Sequence, residues 1–582
     1  MAPNEPHDLV ILGGGLAGLC LARQLSLARP ETKILVAEGG KRPAPQAAFK
    51  IGESSVEVAG HYLHNVLGLA DYLNEHQLPK LGLRYFMSQG DNSDITRRLE
   101  MGPIRNKVQV PFNGLLLPSY QLDRGTLENH LIELLETDHP NVTFQQQCRV
   151  ADIAFGPGEA THQVTLRTKE ENGERVEETL QTRWVIDAAG RGSFLKKKLG
   201  NEIPNDHHCN GVWFRLRTRI QVDNWSEDQS FQDRVNERAR WRSTVHLMGH
   251  GYWLWIIPLS GGETSIGVVA DERVHPYRSL ASWTKIRAWL KAHEPQLSEK
   301  VEAAADQKLD FAATADFTLN CTSVTGGDDR WGMTGDAGLF TDPLYSPGTD
   351  FICIVNTMQT DLITRELDGE SIGTRAERSN YYLKLLYDQF MQVYRDGYLV
   401  MGNPRVNTVK VVFDNGFYWG WVALMGMNGR ATDPDVLDPF HEVYMRSIRV
   451  MVGFQRFIRE WNEAEPRQEL PFDHIDQFDI RMLWNIYTVL IRPVDGESLR
   501  KRLTKNLERL EAYCEHVFRQ LFQGDPEVEA AVGLDVTKLT LDRTKWAEWG
   551  TLEGPDRHQL VGQIAAGMAP LWSGSSREAS AA

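Results

Sequence analysis

An apolar run, Leu9-Val10-Ile11-Leu12, breaks off at three consecutive glycines, and Leu16-Ala17-Gly18-Leu19-Cys20-Leu21-Ala22 continues in a helical pattern. Lys33-Ile34-Leu35-Val36-Ala37-Glu38 then reads as a second strand, so the chain opens on a βαβ unit. Two further segments carry Gly and Asp at or near strand-like ends far downstream, Trp184 to Gly190 and Arg330 to Ala337. A nucleotide domain gathered from distant pieces of chain accounts for them. Between about residues 200 and 325 lie short β-prone stretches such as Gly211 to Leu216 and Thr264 to Val269, suited to an antiparallel sheet. Beyond residue 375 the pattern turns helical, with Tyr381 to Tyr394 and Leu499 to Phe522 as clear cases, and Trp419, Trp421, Trp461, Trp484, Trp546 and Trp549 distributed through it. The final Ser573 to Ala582 offers nothing to bury and is expected to fray.

At 582 residues the chain is long enough for two or three packed regions. With 41% hydrophobic and 24% charged residues it reads as folded rather than disordered. A net charge of −15 and the lack of a long basic run argue against nucleic acid as partner; Lys196-Lys197-Lys198 reads as a solvated helix face. No secretion signal or stretch of membrane-spanning length is visible, so a cytoplasmic location is expected. The six cysteines are scattered and read as reduced, structural thiols, and His207-His208-Cys209 has no second cluster to complete a metal site, so no metal is expected.

Gly13-Gly14-Gly15-Leu16-Ala17-Gly18 fits the dinucleotide fingerprint: Gly13 for the turn, Gly15 for close approach of a pyrophosphate, Gly18 for helix-on-strand packing, with Ala17 inside the same turn. Glu38 follows about twenty residues later, placed to accept hydrogen bonds from an adenosine ribose. Gly335-Asp336 resembles the late Gly-Asp element of flavoprotein monooxygenases and points to FAD. Lys50, Arg124 and the Asp187-Ala188-Ala189-Gly190 segment resemble further elements near the flavin, although a turn or surface salt bridge would explain each alone. The expected architecture is α/β, with a Rossmann-like FAD-binding domain (1–200 and 325–375), an inserted antiparallel β-sheet substrate domain (201–324) and a mostly helical C-terminal region (376–582).

Three features together resemble the flavin-dependent halogenases. Trp253-Leu254-Trp255-Ile256-Ile257-Pro258 matches the family's Trp-x-Trp-x-Ile-Pro signature. On residues alone an aromatic core strand is the alternative reading; the resemblance implies a wall, with Trp253, Trp255 and Pro258, between flavin and substrate. Lys80, in Pro79-Lys80-Leu81-Gly82-Leu83, reads on residues alone as an exposed lysine at a strand start, and by resemblance as the residue that receives hypohalous acid and presents the halogen to the ring. Phe340 to Thr349 resembles the loop beside the flavin whose backbone amides hold halide, here Ser346, Pro347, Gly348 and Thr349, although Pro347 has no N–H to donate. Tyr345 stands where tryptophan halogenases carry a glutamate, which implies a phenol or pyrrole substrate rather than free tryptophan, either free or tethered to an acyl or peptidyl carrier protein.

The resemblance spans about residues 5 to 375. It implies reduced FAD, oxygen and chloride or bromide as reactants, and the lack of a second nucleotide fingerprint implies an NAD(P)H-dependent flavin reductase as partner. Two alternatives remain open at this point: an FAD-dependent monooxygenase or dehydrogenase of the same fold that does not use halide, and a flavin-binding sensor.

Overall fold

The computed structural model describes residues 6–522 apart from 47–49, 104–116, 118, 159, 170–173, 465–469, 471–473 and 491. Trp546, Trp549 and the tail from Ser573 lie outside the described residues.

Two sheets organise the chain. In the first, Val142–Gln145, Ile34–Ala37, His7–Leu12 and Arg175–Asp187 lie side by side in parallel, and His162–Lys169 and Cys148–Ala154 continue it antiparallel. The short strand Trp331–Met333 also pairs in parallel with Arg175–Asp187. Registers set Leu12 opposite Asp187 and Asp187 opposite Met333. Three segments distant in sequence therefore end at one edge, where Gly13, Ala188 and Thr334 emerge together. Carboxyl ends of parallel strands are where α/β sheets open a ligand crevice. The helix Leu16–Ala28 leaves that edge directly behind the glycine turn.

The second sheet has eight strands in the order Lys308–Thr314, Cys209–Leu216, Thr264–Asp271, Tyr252–Pro258, Thr244–Gly249, Leu83–Met87, Leu99–Met101 and His474–Ile475. It is antiparallel through its first five strands, and Leu83–Met87 joins in parallel to Thr244–Gly249. Its last three strands come from outside residues 201–324. Alternation along the strand divides its side chains between two cores: Tyr252, Leu254 and Ile256 pack with Ile286, Trp289 and Leu297 of two covering helices, while Trp253, Trp255 and Ile257 face the rest of the molecule.

From Pro347 onward the described chain is mostly helical, with long helices at Pro347–Leu367, Gly373–Tyr394, Pro404–Phe417, His441–Ala464 and Gly496–Phe522. No helix among the described residues is long and apolar enough to cross a membrane. All six cysteines are buried and unpaired. The lysine triplet departs from a uniform solvated face: Lys196 is buried, because the short helix Phe194–Lys198 turns it inward toward Cys321.

Gly267 lies directly across from Trp255, and a Cβ there would come within 2.1 Å of the indole. Gly267→Ala is therefore expected to lower the melting temperature through overpacking of ~1–3 kcal/mol, measured by thermal unfolding; an unchanged melting temperature would show that the indole moves aside freely.

Candidate active site

The crevice at the edge of the first sheet widens into a cavity of about 960 Å³ that runs to the inner face of the second sheet. Gly13, Gly15, Ala17, Glu38, Lys50, Arg124 and Asp336 all line it, as do Trp253 and Trp255, and Ser346, Gly348 and Thr349. Gly18 stays behind the turn, where a Cβ would sit 2.1 Å from the Gly13 carbonyl oxygen, so its lack of a side chain serves packing. A Cβ at Gly15 would meet only the Lys50 amine, at 3.5 Å, which leaves its backbone open to a ligand. Glu38 is fixed by the amides of Gly14 (2.7 Å) and Gly40 (2.6 Å), one to each carboxylate oxygen, and each oxygen keeps capacity for a hydroxyl. Burial raises the Asp336 carboxyl pKa, against the opposing charge of Arg191.

At the same end stands Glu128, a buried residue of the helix Arg124–Asp138 that no sequence motif marked. Its carboxylate receives Arg124 (2.8 Å), Lys50 (2.5 Å), Arg42 (3.1 Å) and the Leu16 amide (3.2 Å). Burial acts to raise its pKa, but Arg124, Lys50 and Arg42 together hold it down to about 2. Among the described residues, Nε of Arg124 and Nη1 of Arg42 are buried without a hydrogen-bond partner. A glycine turn at a helix start, a carboxylate held at the end of the next strand and a cation cluster with spare donors fit a dinucleotide.

At the far end the indoles of Trp253 and Trp255 lie 5.7 Å apart. Trp253 donates to the Tyr398 hydroxyl (2.9 Å), which donates to Asp342 (2.6 Å), and His207 braces the same carboxylate at 2.8 Å. Trp255 donates to Ser265 at 3.2 Å. Both polar tips are satisfied, so the rings are held as a firm wall. Pro258 takes no part in it. It ends the strand opposite Thr264 with the opposite parity to the two tryptophans, and Ile257 lines the cavity instead.

A second, smaller cavity of about 90 Å³ lies against the first and shares no lining residue with it. Lys80, Glu57, Tyr345, Pro347, Asp414 and Trp419 are among its walls, with Phe390, Tyr394, Tyr418 and Phe478. Residues 345 to 349 form the partition: Ser346, Gly348 and Thr349 face the large cavity, Tyr345 and Pro347 the small one. Tyr345 and Ser346 both take left-handed backbone (φ 68° and 63°), a sparsely populated conformation for such residues that turns the two side chains to opposite sides. Pro347 occupies the first position of the helix Pro347–Leu367, where a missing N–H costs nothing. The amides of Gly348 and Thr349 have no acceptor within the helix, and the Ser346 side chain does not cap them. The donors this turn leaves without an intrahelical acceptor are thus the Gly348 and Thr349 amides, and Pro347 supplies none.

Ser54 joins the two cavities. Its hydroxyl lies in the large one, 3.0 Å from Ser346 Oγ and 2.8 Å from Thr244 Oγ1, and accepts a hydrogen bond from Lys80 Nζ at 2.8 Å. Lys80 also donates to the Ser55 carbonyl at 2.7 Å, and its side chain is buried rather than solvated. Burial lowers its pKa to about 7, with Glu57 and Asp350 opposing the shift. Sequence reasoning missed Glu57, Asp350, Asp414 and Trp419. Burial raises the pKa of Asp350 to about 7 although it accepts from Tyr418 (2.6 Å) and the Ala59 amide (2.9 Å). Asp414 is paired with Lys410 and accepts from the Tyr345 hydroxyl (3.0 Å) and Gln455 (2.6 Å).

No family model matches the chain. It is 25% identical over 442 residues (71% of this chain, 69% of the relative) to the flavin-dependent halogenase chlA of Dictyostelium discoideum. It is 23% identical over 387 residues (64% and 81%) to the 1H-pyrrole-2-carbonyl-(peptidyl-carrier protein) brominase of Pseudoalteromonas luteoviolacea. Among solved structures, halogenase PltM in complex with phloroglucinol and FAD superposes with a TM-score of 0.58 at 16% identity, covering 87% of this chain and 96% of that one, which establishes a shared Rossmann-type fold. By fold the chain is thus of the Rossmann-type α/β class. In sequence it is similar to enzymes of the FAD-dependent halogenase type.

Glu128 has a depressed pKa, so it contributes stability that is complete above its unfolded value of 4.5 and fades as pH falls toward 2, about 3 kcal/mol in all. Glu128→Gln is expected to flatten the acid limb of stability across that window and to weaken FAD retention at neutral pH. Denaturant unfolding as a function of pH, with flavin absorbance after gel filtration, checks both; an acid limb identical to that of the parent would contradict them.

Proposed function

We propose that the protein uses reduced FAD, oxygen and chloride or bromide to generate hypohalous acid in the large cavity, and that Lys80 delivers the halogen to an electron-rich aromatic ring in the small one. The observation that carries this reading is the Lys80 amine, buried in the partition and hydrogen-bonded to Ser54 of the flavin-side cavity while lining the other. Reduced FAD, when bound, supplies the oxygen activation that oxidises halide. The chain's own residues do the rest. Lys50, Arg124 and Arg42 hold the pyrophosphate, Glu38 the ribose, and Asp336 borders the flavin. The Gly348 and Thr349 amides collect halide, and Trp253 and Trp255 keep the ring substrate from reaching the flavin.

Lys80 as an ammonium has three donors. Ser54 and the Ser55 carbonyl take two, and the third can meet the oxygen of hypohalous acid, making it the better leaving group. A neighbourhood of tyrosine, tryptophan and phenylalanine around a volume of about 90 Å³ suits one flat ring, and similarity to phenol- and pyrrole-acting relatives supports a phenolic or pyrrole-type substrate. Tethering to a carrier protein is the second reading, favoured by the pyrrole-carrier relative. Reducing equivalents come from a separate NAD(P)H-dependent flavin reductase, since the chain has one dinucleotide fingerprint.

Mass spectrometry of reactions with FAD, flavin reductase, NADH and either halide, against free and carrier-loaded phenols and pyrroles, tests the reading. A halogen isotope pattern is expected, absent with Lys80→Ala while FAD stays bound; oxygenated or dehydrogenated product without halogen would assign a monooxygenase or dehydrogenase instead. If Lys80 acts as the ammonium, halogenation falls as pH rises through about 7, the value to which burial lowers its pKa; a rate that climbs through the same region would contradict that role.

A further inference from the structure

Substitution on a ring carbon must end with loss of a proton, and the small cavity holds two carboxylates that could take it, Glu57 and Asp414. Asp414 is committed. Lys410 and the Tyr345 hydroxyl occupy one of its oxygens and Gln455 the other. Asp350, close behind the wall, has both oxygens taken by Tyr418 and the Ala59 amide and lines neither cavity. Glu57 instead lines the cavity together with Lys80 and Trp419, and the charges of Glu57 and Lys80 act on each other.

We propose that Glu57 is the general base that removes the ring proton from the aromatic substrate, an assignment that rests on the halogenase reading above. The carbon–halogen bond forms from the ring's π pair as the halogen–oxygen bond of hypohalous acid breaks. The oxygen leaves as water with a proton from the Lys80 ammonium. The carbon–hydrogen pair returns to the ring as the Glu57 carboxylate takes the proton, which then replaces the one Lys80 gave up. The sum is ring–H plus hypohalous acid giving ring–halogen plus water, with no further reactant. Burial raises the Glu57 pKa, opposed by Lys80, which makes it a stronger base than a solvated carboxylate. The groups that act on it electrostatically are Lys80, Asp350, Tyr85, Tyr418 and Tyr487.

The test uses the full chain with FAD, flavin reductase, NADH and bromide in two assays. Monochlorodimedone, with no aromatic substrate present, reports hypohalous acid formation. Phloroglucinol, with excess methionine to destroy oxidant that leaves the protein, reports ring bromination inside it. Glu57→Gln is expected to lower the second rate about 100-fold or more relative to the first, and to remove the acid limb of the second rate's pH profile, which Glu57→Asp partly restores. Phloroglucinol bromination by Glu57→Gln at the parent rate overturns the assignment. If Glu57→Gln does not retain FAD, Glu57→Asp decides: a displaced acid limb supports the base, an unmoved one overturns it. A parent protein that makes no hypohalous acid sinks the halogenase reading itself, whereas one that makes it but leaves phloroglucinol unbrominated sinks this inference alone.

Discussion

A lysine amine kept out of water between two cavities is the constraint on which the site depends. Burying an ammonium is costly, and here the cost is met locally by the Ser54 hydroxyl, the Ser55 carbonyl and the charges of Glu57 and Asp350. Those partners hold their places through long-range ties. The 53–56 segment bonds to Tyr120 and Leu122, the chain before Lys80 pairs with Tyr120–Gln121, and Asp350 comes from the helix that starts at the partition. Moving any one of them removes part of what offsets the burial of the amine.

The large cavity follows from strand register. Because Leu12, Asp187 and Met333 end in line, the glycine turn, the Asp187 corner and the Gly335-Asp336 turn open on one side. Sheet parity then supplies the opposite wall. Every second residue of Tyr252–Pro258 faces inward, and Gly267 gives the Trp255 ring room to lie flat over its neighbouring strand. Electrostatics complete the arrangement, with Glu128 gathering three cations that would otherwise repel one another beside the glycines.

What was legible in the sequence was local. The glycine turn, its helix and Glu38 lie within a few dozen residues and announce a dinucleotide crevice by spacing alone, and the paired tryptophans announce a single aromatic face. Pro258 fell outside that face for a reason present in the sequence, since it differs in parity from Trp253 and Trp255. Other residues had no local signal. Glu128 sits in an ordinary helix and acquires meaning only when Lys50 and Arg42 fold onto it. Asp414 and Trp419 come from a helical region without motifs, and Glu57 resembles any helix-opening glutamate until Lys80 is placed beside it. Lys196 shows the same limit in a bland setting, because a five-residue helix can turn one lysine of three inward.

The central claim is a division of labour, with flavin and halide on one side of the 345–349 partition and the ring substrate on the other. Anomalous diffraction from crystals grown with FAD and bromide tests it most directly. The account predicts flavin along the large cavity and a bromide peak beside the Gly348 and Thr349 amides, with Lys80 across the partition; a flavin ring reaching into the Lys80 cavity, or bromide bound only elsewhere, would contradict it.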